Sequence, residues 1–71
     1  DKLAFSWFMK AAEQGDAPSQ YNIGRMYLLD KGDDINFLEA RFWVKQAIEN
    51  NDAYIGALAQ QLWDEYKLGT Y

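Results

Sequence analysis

Apolar residues recur along this chain every three or four positions, in four blocks separated by polar or turn-forming stretches. Ala4, Trp7, Phe8 and Ala11 form one stripe; Ala40, Trp43, Val44, Ala47 and Ile48 form a later one. Neither alternates with the period of two that a strand requires, so both predict amphipathic helices. The spacing places helices over about 1–14, 17–29, 36–50 and 53–67. The second should pack through Ala17, Tyr21, Gly24, Tyr27 and Leu28. The fourth should pack through Ile55, Leu58, Ala59, Leu62, Trp63 and Tyr66.

The residues between the blocks are suited to reversing the chain. Gly15 tolerates the positive φ that ends a helix, and Asn51 is expected to do the same later. Asp16 and Asp52 follow at once as N-caps, and Pro18 falls in the first turn, where a missing N–H costs nothing. Gly24 is unfavourable inside a helix by roughly 1 kcal/mol relative to Ala. Its presence predicts close approach of a neighbouring helix. "DKGDDIN", from Asp30 to Asn36, is the longer connection, and "LGTY" at the end has little power to prolong the last helix.

The chain also repeats itself. A shift of 36 positions lays Ala4 on Ala40, Trp7 on Trp43, Ala11 on Ala47, Glu13 on Glu49, Asp16 on Asp52 and Ala17 on Ala53. Alternating short and long turns then make antiparallel helical hairpins, stacked as a short all-α solenoid (an α/α superhelix) of about two repeats. The shared register of Trp7 and Trp43 predicts that both rings pack in the core. Trp63 takes the place that Tyr27 holds, as a docking point or as a lid over the last core layer.

These residues resemble the Sel-one-like repeat, a relative of the tetratricopeptide repeat with units of about 36 residues. Its run A-x-x-W-[YF]-x-K-A-A-x-x-G is matched by Ala4, Trp7, Phe8, Lys10, Ala11, Ala12 and Gly15. Its A-x-x-x-[YN]-x-L-G-x-M-Y run is matched by Ala17, Tyr21, Ile23, Gly24, Met26 and Tyr27. Asp30 and Asp33 stand where that family has Gly and Val, while Gln60 and Ala57 replace the Gly and Tyr of the last helix. The chain therefore reads as the C-terminal part of a longer array, one domain over 1–71. What the resemblance implies is adaptor work in bacterial or eukaryotic complexes, often at or outside the inner membrane.

Composition narrows the partners. Seven basic residues are scattered among eleven acidic ones, for a net charge of −4. That balance argues against nucleic acid and against an acidic membrane surface. No apolar stretch approaches the roughly 20 residues of a membrane-spanning helix, so direct insertion is not expected. Without Cys the redox compartment stays open, and periplasmic, secreted and cytoplasmic locations all fit.

Chemistry is sparse. There is no His to serve Ser6 or Ser19 as a base, and no cofactor or metal is expected. Asp33 and Asp34 read as solvated turn acids, as Asp64 and Glu65 read as surface charge. Counted from Asp30, the sixth and twelfth places hold Ile35 and Arg41, which fails the EF-hand pattern. The expectation is a non-catalytic protein-interaction scaffold binding a protein or peptide on its concave helices. An inhibitor or immunity-type regulator and a cell-wall-directed hydrolase are the alternatives. Rotation by 100° per residue puts Asn22, Arg25, Met26 and Leu29 on the open face of the second helix. Leu58, Gln61, Leu62 and Glu65 are their equivalents in the fourth, where Leu58 and Leu62 double as packing positions. The candidate contacts are Asn22, Arg25, Met26, Leu29, Gln61, Trp63 and Glu65, beside the structural positions Ala4, Trp7, Ala11, Gly15, Tyr21, Gly24, Tyr27, Ala40, Trp43 and Ala47. Self-association through the first helix is also expected.

Overall fold

The computed structural model describes residues 2–29 and 37–70. Four helices follow one another: α1 (Lys2–Glu13), α2 (Ala17–Leu29), α3 (Phe37–Glu49) and α4 (Ala53–Glu65), with a short 3-10 turn at Leu68–Thr70. No strand occurs among the described residues, so the all-α hairpin stack stands. The linker with Asp33 and Asp34 lies outside the described residues, as do Asp1 and Tyr71.

Local chemistry sets the boundaries. Gly15 closes α1 with a φ of +95°, and Asp16 then turns the chain into α2. The Asp16 carboxylate accepts from the Ser19 backbone N–H at 3.1 Å and from the Ser19 hydroxyl. Asp52 repeats the device, accepting from the Ile55 N–H at 3.0 Å. Each satisfies a backbone donor that the first helical turn leaves open.

Asn51 does not follow Gly15 into the left-handed region; among described non-glycine residues only Lys67, with φ +52°, is found there. The second short turn is held by the neighbouring side chain instead. Asn50 Nδ2 donates to the Gly15 carbonyl at 2.9 Å and to Gln20 Oε1 at 3.2 Å. The Gln20 amide donates in turn to the Ala12 carbonyl at 3.2 Å. One polar node thus ties the α1–α2 turn to the α3–α4 turn.

Packing follows chain order: α2 lies between α1 and α3, α3 lies between α2 and α4, and α2 also meets α4. The larger core gathers Ala17, Leu28, Ala40, Val44, Ala47, Ile55, Ala59, Leu62 and Leu68. A second cluster of Ala12, Ile23 and Trp43 joins α1, α2 and α3 through their side chains, with Phe5, Phe8, Met9 and Met26 packed around it. Phe5 meets Tyr27 edge-on at 5.6 Å between ring centroids.

Two expectations need correction. Trp7 is 65% exposed, whereas Trp43 is 8% exposed, so aligned tryptophans occupy unlike surroundings. The cluster that encloses Trp43 is built from α1 and α2. One repeat period earlier than those helices falls before residue 1, and no described element covers Trp7. Secondly, α4 stops at Glu65, two residues earlier than the spacing predicts, and the chain folds back so that Leu68 is fully buried. Hydrophobic contact just beyond a left-handed C-terminal residue is a recognised way of sealing a helix end.

Candidate protein-interaction surface

Curvature follows from which helices touch. The odd-numbered pair, α1 and α3, has no Cα atoms within 8 Å of each other, while α2 and α4 do approach that closely. The stack is therefore narrower on the α2–α4 side. That side is concave, and its exposed side chains define the candidate surface.

On α2 the strip begins at half-buried Asn22 and continues through exposed Arg25 to Leu29, which is 50% exposed. The Arg25 guanidinium stands 5.8 Å from the Tyr21 ring centroid, a one-turn cation–π contact that orients it. On α4 the same register gives half-buried Leu58 and exposed Gln61 and Glu65. A cation on one helix and a carboxylate on the next, with Leu29 and Leu58 alongside, make a mixed polar and apolar face.

Two of the sequence-nominated contacts point elsewhere. Met26 is half-buried and packs onto the Ile23–Trp43 cluster. Trp63 is half-buried against the larger core, and the Arg41 guanidinium stands 5.9 Å from its ring centroid. A Cβ added at Gly69 would lie 3.2 Å from the Trp63 indole nitrogen, so the C-terminal turn closes over that ring. Leu62 settles as a core residue. Sequence reasoning did not select Ser19 and Gln20, both buried on α2. The stripe Gln20–Ile23–Tyr27, spaced three and four apart, carried the signal.

Burial first, and the Glu39 carboxylate second, push the Tyr27 phenol above its ordinary range. Among the described residues no cluster of three metal-ligating side chains occurs. No described helix is long and apolar enough to cross a membrane.

The Sel1 repeat family model matches residues 1–16 and 17–52. This chain belongs to the Sel1 repeat family. Comparisons with curated proteins and with solved structures returned no match. The boundary between the two matches falls at Asp16–Ala17, so α2 and α3 form one complete Sel1 unit and α1 is the second helix of the unit before it. Sel1 repeats are non-catalytic scaffolds that mediate protein–protein interaction. In this chain α4 lies beyond the matched residues. There exposed Gln60 replaces the buried Gly24, and exposed Asp64 replaces the buried Leu28.

Proposed function

We propose that this Sel1 chain is a non-catalytic adaptor that holds a protein or peptide segment along the concave strip of α2 and α4. The observation that carries the reading is the side-by-side contact of α2 and α4 with α1 and α3 held apart. It aligns Asn22 with Leu58, Arg25 with Gln61 and Leu29 with Glu65, one repeat apart. An extended segment lying across such a surface meets a regular series of side chains rather than a closed pocket, as helical solenoids use their inner faces. Arg25 offers charge to an acidic group, and Leu29 with Leu58 offers apolar contact.

Site-specific photocrosslinking tests this. Probes at positions 25, 29, 61 and 65 should trap a common partner, and probes at the exposed outer positions Lys45 and Glu49 should not. Arg25→Glu should weaken capture at least tenfold without changing the helical circular dichroism. Equal trapping from both sides of the stack would refute the reading.

A further inference from the structure

We propose that the concave strip selects an extended partner segment through two opposite charges. An acidic side chain of the segment sits on Arg25 of α2, and a basic one, four residues away, sits on Glu65 of α4. The inference rests on the adaptor reading and names the chemistry of the partner. Both Arg25 and Glu65 are exposed, and neither forms an ion pair among the described residues. The Arg25 guanidinium stands 5.8 Å from the Tyr21 ring centroid, a contact that steadies it and leaves N–H donors for a carboxylate.

Glu65 is placed against its local field. It is the last residue of α4, beside Asp64, and no basic residue stands in that final turn. The carbonyls of a helix C-terminus already carry partial negative charge, so carboxylates there are repelled by the backbone. Lys67, past the cap, makes no ion pair with either acid among the described residues. A basic side chain from outside supplies the countercharge that the helix end lacks.

A segment of one sign does not fit. A wholly basic one would press a cation on Arg25, and a wholly acidic one would meet Glu65 and Asp64 on a chain of net charge −4. The spacing follows from the two helices. Gln61 is the repeat partner of Arg25, so Glu65 lies four residues, about 6 Å, further along α4. With neighbouring helix axes about 8–10 Å apart, the diagonal from Arg25 to Glu65 is roughly 10–12 Å. Residues facing one side of an extended chain are two or four apart, roughly 7 or 13 Å. Four is the closer match, and the long side chains absorb the difference. Leu29, 50% exposed, lies beside this diagonal, so the inward-facing residue midway between the charges is apolar.

Fluorescence anisotropy with synthetic nonapeptides on the 71-residue chain tests the proposal. The probe peptide carries one Glu and one Lys, four apart around a central Val. Controls carry two Glu, two Lys, no charge, or the Glu and Lys only two apart. The probe should bind at least tenfold more tightly than every control. Arg25→Glu should switch the preference to the two-Lys peptide, and Glu65→Arg to the two-Glu peptide. Glu65→Arg should also raise the melting temperature, since it relieves the charge at the end of α4. The double variant should recover the probe peptide in reverse, with a photoprobe beside its Lys crosslinking to α2 instead of α4. Equal affinity across the set, with crosslinks still on the strip, would overturn this inference and leave the adaptor reading standing. Crosslinks at Lys45 or Glu49 would overturn both. Binding by no peptide at millimolar concentration would also overturn the inference, while partner trapping at positions 25, 29, 61 and 65 decides the adaptor reading on its own.

Discussion

A Cβ built on Gly24 would stand 2.6 Å from Val44 Cγ2 and 3.2 Å from the Val44 backbone nitrogen. A missing side chain on α2 thus sets how closely α3 approaches. Val44 is β-branched and stiff, and the second contact is main chain, so neither neighbour yields cheaply. Gly24→Ala gains roughly 1 kcal/mol of helix propensity. It should still be destabilising overall, because overpacking a core costs about 1–3 kcal/mol. Urea unfolding of Gly24→Ala alone and with Val44→Ala checks this. The second change should recover part of the loss, and a stabilised single variant would contradict the close-contact account.

The Asn50 amide ties two turns that are distant in sequence. Asn50→Ala leaves the buried Gln20 Oε1 without this donor, a loss worth about 1–3 kcal/mol. Amide exchange should accelerate in both short turns together. Acceleration confined to the α3–α4 turn would mean the node does not couple them.

Capping gives a smaller and more local effect. Asp52→Ala should cost about 1 kcal/mol and fray the first turn of α4, where Ile55 loses its acceptor. Asp52→Asn should keep most of that stability, since the side-chain oxygen remains. Thermal melts of the two variants separate hydrogen bonding from charge.

Leu68 is fully buried beyond the end of α4. Leu68→Ala should cost about 2–5 kcal/mol, as large-to-small core changes do. Trp63 should become more accessible to a quencher in the same variant, because the turn that covers it is released. Unchanged stability would mean that the turn packs without holding.

The Tyr27 phenol is held above its unfolded-state value, chiefly by burial. For a group whose folded value is raised, stability is complete below the unfolded value, near 10.0. It is then lost as pH climbs through the higher folded value, because the unfolded chain releases its proton first. Tyr27→Phe should therefore flatten the alkaline loss of stability above pH 10 relative to the parent chain. Parallel pH profiles for the two chains would rule this out.

How much of this was legible in the letters differs from element to element. Gly15, Asp16, Asp52 and Gly24 each carry a local requirement (a turn, a cap, a close contact), and local requirements survive translation from sequence to structure. Trp7 does not, because identical letters 36 apart say nothing of how many helices pack on each copy. Asn51 failed for a related reason: the Asn50 side chain reaches across to Gly15 and Gln20, a tertiary contact no single turn encodes. On the candidate surface, Arg25 and Leu29 could be placed by rotation alone. Met26 and Trp63 could not, since each lies at the edge of a packed stripe where a few degrees decide between core and solvent.

The unequal spacing of the helices carries a mechanical consequence. Parting α2 from α4 would have to break their mutual contact. Shifting one short turn against the other would strain the Asn50 bonds to Gly15 and Gln20. The narrow side of the stack is therefore braced both along its length and at one end.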